Sequence, residues 1–427
     1  MARLEPADAS VRVAATRVVI DSRPLQEPER TPITAEYLQR LLGAYADDSL
    51  AGESFVILER VGRSDPTAEL ERRGLPVVAR RRLPPTSRLF RSAGLTLDSF
   101  LLRGAEIGTA AGPGSAAAGT IFHTAGGAVP LASGLPIVAT LLDLAPWELP
   151  RTYAASPAAR FGHRLRARVL YDAARVIVCA RAVAESARRR LHLDGAQLRI
   201  VPLAVDADFR AAGRDAGRQA RVRGELELPD RYFLFCGRYD ARKDMPTLFR
   251  ALRGLRKAGR RDLPPLIVLP RYEIADERQA VERAMRRSGL GELVRVAPPV
   301  GALDRAALTA GATAFIFPSL AEATGIGVLE ALSVGVPVIC SRAGALPEMV
   351  GSAGIIVEPR EPTRLAAAIE AVMSGGALSE QLRRQARARA DADQRSWGDV
   401  ARETRMVYAE AAMDAQRRPR RRARRGS

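Results

Sequence analysis

Apolar runs that alternate with helical periods, twice over and with a polar stretch between, narrow most sharply what this 427-residue chain can fold into. In the first half, Val11–Asp21 holds the β-branched run Arg-Val-Val-Ile-Asp, a polar loop spans Ser22–Thr31, and a helix is expected over Thr34–Tyr45 with Tyr37, Leu38, Leu41 and Leu42 on one face. Further strands are expected at Ser54–Leu58, Pro76–Val78, Gly119–Phe122, Pro136–Leu141, Val176–Cys179 and Leu198–Pro202, with arginine-rich helices at Ala158–Tyr171 and Val183–Leu191. Beyond the loose stretch Asp206–Asp230 the alternation restarts. Its strands are expected at Tyr232–Cys236, Leu266–Leu269, Val294–Ala297, Ala314–Phe317, Val338–Cys340 and Gly354–Val357, and its helices at Met245–Lys257, Asp276–Ser288, Asp304–Ala310, Val328–Val334 and Pro362–Met373. Parallel strands need crossovers, so the pattern implies an α/β chain with two doubly wound parallel sheets. Ligands of such sheets sit beyond the carboxyl ends of the strands, which lets two of them face one another across a cleft. The expected divisions are a first domain over 1–207, a linker over 208–230 and a second domain over 231–390. A helix over 391–412 follows, the last part of the amphipathic Glu380–Ala412, and then a disordered arginine-rich tail over 413–427.

Charge and cysteine content exclude several classes. The net charge is +18, and all but Lys243 and Lys257 of the 66 cations are arginine, a bias that codon usage explains. Seven arginines, Arg417, Arg418, Arg420, Arg421, Arg422, Arg424 and Arg425, lie in the last eleven residues, where like charges favour an extended tail. With 47% hydrophobic residues the chain is not a disordered one. Cys179, Cys236 and Cys340 each sit in an apolar run, without metal-ligand spacing, and read as buried thiols in a reducing cytoplasm. Residues 1–17 carry interspersed charges and do not read as a signal peptide. The uncharged stretch Ile107–Leu142 is broken by glycines and by Pro113, Pro130 and Pro136, so no membrane span is expected there. No zinc-finger, RNA-recognition or helix-turn-helix signature supports nucleic-acid binding.

The chemistry concentrates in the second half. From Phe315 the chain reads Phe-Ile-Phe-Pro-Ser-Leu-Ala-Glu-Ala-Thr-Gly-Ile-Gly-Val-Leu-Glu: a strand, a loop with Glu322, Gly325, Ile326 and Gly327, then a helix with Val328 and Glu330. Unpaired N–H groups at that helix start suit a diphosphate, and Glu330 can accept hydrogen bonds from vicinal ribose hydroxyls. Earlier, Gly237 ends a strand, and Arg238 and Lys243 follow it, so a guanidinium fork and an ammonium can converge on the same cleft edge.

Together these motifs resemble glycosyltransferase family 4, retaining enzymes of the GT-B fold that use nucleotide-sugar donors without a metal. The resemblance spans nearly the whole chain and is strongest over Phe233–Val357. It implies that Glu322 lies beside the donor sugar, that Glu330 holds the ribose, and that Arg238 and Lys243 neutralise the diphosphate. It implies further that Gly237, Gly325, Ile326, Gly327, Val328 and the base-side Val300 line the donor site, that the segment Ser341–Glu348 ends the pocket, and that the last helix crosses back to the first domain. No cofactor or metal is expected. The implied partners are a UDP- or GDP-linked sugar, with a mild preference for guanosine and mannose from Arg23-Pro24-Leu25-Gln26, and a glycan or lipid-linked acceptor of polysaccharide or cell-envelope synthesis. An anionic membrane face is also implied, with Arg80, Arg81, Arg82, Arg88, Arg91, Arg164, Arg166 and Arg168 as contacts; the expected location is the cytoplasm, peripheral at the inner membrane face.

The first domain departs from the family pattern. Glu29–Tyr37 holds no glycine where the family has a glycine-rich loop, and Leu142 stands before Asp143 where the family has a histidine. Leucine can neither hydrogen-bond nor carry a proton. His123 and Asp143 are therefore the acceptor-side candidates, His123 at a strand end where either a cleft or a core role is open, while His163 and His192 have no assigned role. Leu203-Ala204 replaces a usual Asn-Gly, and Pro298-Pro299 lack the N–H a base-contacting loop offers. These departures motivate an alternative: a catalytically weak or inactive homologue that binds a nucleotide or serves as a partner subunit.

Overall fold

A computed structural model of the protein describes residues 16–83, 119–125 and 133–425. Seven strands form the first sheet: β1 (Arg17–Asp21), β2 (Ser54–Arg60), β3 (Val77–Leu83), β4 (Thr120–Ala125), β5 (Ile137–Thr140), β6 (Arg175–Val178) and β7 (Leu198–Ile200). Six form the second: β8 (Phe233–Cys236), β9 (Leu266–Leu269), β10 (Val294–Val296), β11 (Ala314–Phe317), β12 (Val338–Ser341) and β13 (Gly354–Val357). The orders are β3-β2-β1-β4-β5-β6-β7 and β10-β9-β8-β11-β12-β13. Every pair is parallel. Strands covered on both faces need apolar residues at every position, which is why they read as continuous runs rather than alternations; β8, β9, β11 and β12 are buried throughout. The strand order reverses between β8 and β11, the switch point beyond whose carboxyl ends ligands of such sheets bind.

Three expectations need correction. The stretch 208–230 is not a loose linker: it holds the helices Ala207–Arg214 and Ala216–Glu225, which bury Phe209 and Val222 against the second domain. A Cβ on Gly213 would stand 2.3 Å from Val334 Cγ1, so this glycine permits close packing rather than breaking the chain. The helical stretch from Glu380 is two helices, Ala377–Ala392 and Trp397–Arg425. Ser396 and Asp399 cap the second reciprocally: Ser396 N–H donates to Asp399 Oδ2 at 2.8 Å, and Asp399 N–H donates to Ser396 Oγ at 3.2 Å. That second helix carries the arginine run to Arg425, where an extended tail was expected, in keeping with the high helix propensity of alanine and arginine. β3 also runs on to Leu83, and its arginines are neutralised locally: Arg80 pairs with Asp65 at 2.7 Å and Arg82 with Glu59 at 2.9 Å. Arg88 and Arg91 lie outside the described residues. Among the described residues no helix is long and apolar enough to cross a membrane.

The last helix lies on the first domain. Its Arg405 pairs with Glu53 at 2.9 Å, its Glu410 pairs with Arg175 at 3.0 Å, and its Trp397 meets Tyr37 edge to face at 6.0 Å. Beneath it His123 is fully buried: Nδ1 is 2.8 Å from the Tyr408 hydroxyl and Nε2 is 2.9 Å from Thr140 Oγ1. The acceptor-side role considered for His123 therefore fails on geometry; both nitrogens are used in the core. Burial, against a small opposing pull from Asp21, holds its pKa down at about 3. The unfolded chain takes up a proton near 6.5 that the folded chain refuses until about 3, so stability is lost as pH falls through that window. Tyr408→Phe leaves a ring nitrogen unpaired and should cost about 1–3 kcal/mol. Urea unfolding of parent and variant at pH 7, and of the parent at lower pH, checks both expectations.

Candidate active site

The loop after β8 turns at Gly237 and forms a short 3-10 turn, Ala241–Lys243, whose Asp240 side chain accepts from Arg242 N–H. Asp244 follows at φ 46°, a conformation that non-glycine residues seldom adopt, and caps the helix Met245–Lys257. This turn sends Lys243 inward. The loop after β11 carries Glu322 and ends at Gly325, which sits at φ 56° before the helix Ile326–Ser333. The two loops are stitched by Leu320 N–H donating to the Arg242 carbonyl at 2.6 Å. A third loop, after β12, closes on them. Ala345 N–H donates to the Glu322 carbonyl at 2.9 Å, and a Cβ on Gly344, at φ 49°, would stand only 1.9 Å from that oxygen. Only glycine fits there.

Lys243 Nζ meets Glu322 Oε2 at 2.5 Å, with both side chains almost fully buried, and lies 4.1 Å from the centre of the Phe317 ring. Glu322 Oε1 accepts from Gly325 N–H and from Thr324 Oγ1, each at 3.2 Å. Burial pushes the Glu322 carboxyl up, but Lys243, Arg242 and the Gly325 amide outweigh it and hold the pKa down at about 2. Burial likewise pulls the Lys243 ammonium below its ordinary value, against Glu322. Glu322 is thus a carboxylate at neutral pH. It can accept hydrogen bonds from hydroxyls but cannot supply a proton.

Arg242, which the motif reading passed over, is buried and crosses the cleft: its NH1 reaches Asp143 Oδ1 of the first domain at 3.1 Å. Burial opposes its charge, but Asp143 and Glu322 hold its pKa above the ordinary value. Asp143 also accepts from Ala145 N–H at 2.9 Å, so its carboxylate is fixed at the first-domain side of the cleft. Leu142 is buried beside it in the core cluster that also holds Ile326. Arg238 does not join Lys243. Its guanidinium is held by Glu277 Oε1, with Nε at 2.8 Å, and its NH1 reaches the Arg30 carbonyl of the first domain at 3.4 Å.

Glu330, one turn into the helix, lies in a second ionic cluster. Arg271 NH2 binds its Oε2 at 2.5 Å and Arg305 NH2 binds its Oε1 at 3.0 Å. Burial raises its pKa, yet Arg271, Arg305 and Arg40 bring it down to about 2. Val300 lines the 540 Å³ cavity beside this cluster, together with Tyr272, Arg271, Arg305 and, from the first domain, Glu36 and Arg40. Ile326 and Gly327 open the helix, so their N–H groups lack intrahelical partners, whereas Val328 N–H donates back to the Gly325 carbonyl at 2.9 Å and is spent. Arg242 and Glu36 lie within the segments Gly237–Lys243 and Glu29–Tyr37 but carry no motif position of their own. Arg271 and Arg305 lie outside the motifs, although Arg271, two residues past β9, stands at the carboxyl end of a parallel strand, where site residues collect.

Against known proteins, residues 230–375 match the family described as Glycosyl transferases group 1, and residues 55–209 match Glycosyltransferase Family 4. The chain is 32% identical over 180 residues to the O-antigen chain mannosyltransferase B of Escherichia coli, covering 42% of this chain and 45% of that one. It is 30% identical over 230 residues to the D-inositol 3-phosphate glycosyltransferase of Streptomyces griseus, covering 52% of this chain and 48% of that one. It thus spans slightly under half the length of these curated relatives. Among solved structures, the sucrose-phosphate synthase of Thermosynechococcus elongatus superposes with TM-score 0.66 at 19% identity, over 92% of this chain and 98% of that one. WaaG, a glycosyltransferase involved in lipopolysaccharide biosynthesis, does so with TM-score 0.65 at 15% identity, over 93% and 98%. Both domains follow the GT-B architecture.

Lys243→Met would strand the Glu322 carboxylate without its cation and should destabilise the protein by about 3–5 kcal/mol, with Lys243→Met/Glu322→Gln recovering much of the loss. In the parent, the contribution of Glu322 is complete above its ordinary 4.5 and is lost as pH falls toward about 2. In Lys243→Met the carboxyl titrates at higher pH. Denaturant unfolding of the three proteins across pH 3–7 measures both effects.

Proposed function

We propose that this chain, which belongs to glycosyltransferase family 4 and carries a group 1 domain in its second half, transfers a hexosyl group from a UDP- or GDP-linked sugar to a glycan or lipid-linked acceptor. The observation that carries the reading is the buried Lys243–Glu322 pair beside the helix that opens at Ile326 and carries Glu330, eight residues after Glu322. In the proposed reaction the anomeric C–O bond to the diphosphate breaks and a bond to an acceptor oxygen forms. Negative charge grows on the leaving nucleoside diphosphate. Lys243, Arg242, the N–H groups of Ile326 and Gly327, and Arg238 once released from Glu277, would stabilise it, so no step calls for a metal ion. Glu322, anionic at working pH, would accept hydrogen bonds from sugar hydroxyls and hold Lys243 in place. Glu330 would take the ribose.

Retention of configuration fits this arrangement: attack from the face the diphosphate leaves would let the departing phosphate oxygen take the acceptor proton. An acceptor in cell-envelope glycan synthesis fits the relatives named above. A membrane-peripheral location fits the helix Pro157–Asp172, which exposes Phe161 and Tyr171 and carries Arg160, Arg164 and Arg168. Arg168 also pairs with Asp172 at 3.0 Å, and Arg166 turns inward over Trp147. The second reading, a weak or inactive nucleotide-binding homologue, is favoured by Leu142 and by the burial of His123, so that neither position presents an imidazole to the cleft.

A panel of UDP- and GDP-sugars, followed by donor hydrolysis and by transfer to a lipid extract, separates the readings. Turnover with one donor, reduced about 100-fold or more in Glu322→Gln, is the expected result. Tight nucleoside-diphosphate binding with no turnover on any donor or acceptor supports the homologue reading instead. A Glu322→Gln variant as fast as the parent overturns the assignment of that residue.

A further inference from the structure

The cavity beside Glu330 contains a group that the donor-site reading does not use. Glu36 stands in the first turns of the first-domain helix Pro32–Asp47 and reaches across the cleft. Its Oε2 accepts from Arg271 NH1 at 2.7 Å, and its Oε1 lies 3.4 Å from Arg305 NH2. Arg40, one turn later on the same helix, clamps Glu36 at 2.7 Å and Asp206 at 3.1 Å. Both second-domain guanidiniums are buried, with 6% and 8% of their side chains exposed. Arg305 Nε is buried without a hydrogen-bond partner.

Arg271 also lies against the helix start to which the proposed function assigns the diphosphate. Its NH2 lies 3.9 Å from where a Cβ on Gly327 would stand, an ordinary contact that sets the guanidinium against the first turn of the helix Ile326–Ser333. A buried arginine at a helix start is a phosphate ligand by chemistry: two donors in a fixed fork beside orphaned backbone N–H groups. Here Glu330 holds one arm of that fork, and Glu36, a carboxylate from the opposite domain on the helix Pro32–Asp47, occupies the other.

We propose that Arg271, supported by Arg305, is a donor-phosphate ligand, and that Glu36 is an internal anion holding its place, displaced when the nucleoside diphosphate enters. The inference rests on the nucleotide-sugar reading of the cleft. In the exchange a phosphate oxygen replaces a carboxylate oxygen on the same guanidinium, and Arg40 retains Glu36 on the first domain after release. Donor binding therefore loosens one ionic tie between the domains as it forms another, so the empty cleft is held shut by the site that the donor needs. Donor affinity is reduced by the fraction of molecules in which Glu36 occupies Arg271.

Calorimetric titration of UDP, GDP and inorganic pyrophosphate into the full-length parent, Glu36→Gln, Arg271→Gln and the double variant tests this. Expected is binding about tenfold tighter in Glu36→Gln and about tenfold weaker in Arg271→Gln, with the gain from Glu36→Gln abolished in the double variant. The double variant separates competition at Arg271 from a general change in cleft charge. Binding that is unchanged or weaker in Glu36→Gln, or a gain that persists without Arg271, overturns the proposal while leaving the donor site standing. If the parent binds neither nucleoside diphosphate nor pyrophosphate, the nucleotide-sugar reading itself falls, and this proposal with it. Glu36→Ala, which unlike Glu36→Gln leaves no side-chain amide, should reproduce the tightening; if it does not, the effect belongs to the glutamine and the proposal fails.

Discussion

The site depends on an ion pair buried where water cannot screen it. Taking Lys243 and Glu322 out of solvent costs several kcal/mol per ion, and a well-packed apolar pair would serve stability at least as well. What offsets the cost is specific. Glu322 accepts from Lys243, Thr324 Oγ1 and Gly325 N–H, and the ammonium also rests on the Phe317 ring. None of these partners belongs to a regular element interior except Phe317, the last residue of β11. The loops after β8 and β11 are shaped around this pair. Asp244 at φ 46°, Gly325 at φ 56° and Gly344 at φ 49° all lie within the segments that position it. Backbone conformations of this kind are retained where surrounding structure enforces them, and they cluster where chemistry is done.

Around that pair the two domains meet through charges on the cleft side and through apolar packing behind it. Arg242–Asp143 and Arg271–Glu36 cross the cleft, each joining a second-domain guanidinium to a first-domain carboxylate. Ile326, at the opening of the helix Ile326–Ser333, instead packs into the first-domain cluster with Leu142 and Leu203. Ionic ties can be exchanged for ligand contacts without exposing apolar surface, whereas the cluster around Ile326 resists separation. This division favours rocking of the domains about the apolar contact rather than their dissociation. The last helix reinforces it, because Trp397, Val400 and Tyr408 bury themselves on the first domain.

Much of the fold was legible because burial on both faces forces an unbroken apolar run. β9, β11 and β13, and the helices Met245–Lys257 and Pro362–Met373, fall where their apolar patterns place them. What misled was glycine, which looks alike whether it breaks a chain or lets two elements touch. Gly213 does the second, against Val334, within what reads as a linker. The Ser396–Asp399 cap has a Ser-x-x-Asp pattern, which marks a helix start inside a stretch that amphipathic period alone reads as continuous. At the site, Glu322, Lys243, Glu330 and Gly325 could be singled out because their spacing around a strand and a helix start has a chemical meaning. Arg242, Arg271 and Glu36 could not, because their meaning lies in partners 99, 59 and 235 residues away. Such pairings come from topology, and spacing is silent about them.

The first domain bears on how the proposed chemistry would proceed. At Leu142 a buried aliphatic side chain stands where an imidazole was expected, and His123 is committed to Tyr408 and Thr140 with its pKa held at about 3 by burial. Neither position can supply a base to the acceptor hydroxyl. The polar group fixed on that side is Asp143, and it is paired with Arg242, which also sits in the field of Glu322. A carboxylate so paired is a weak base, better suited to orienting an acceptor hydroxyl than to removing its proton. On the proposed reading, the proton then has to leave on the departing phosphate oxygen, the base that same-face attack brings within reach. Substituting leucine for histidine would therefore weaken orientation of the transferred sugar more than proton transfer. The chemistry would rest on the second-domain cations, where the buried Lys243–Glu322 pair already fixes the geometry.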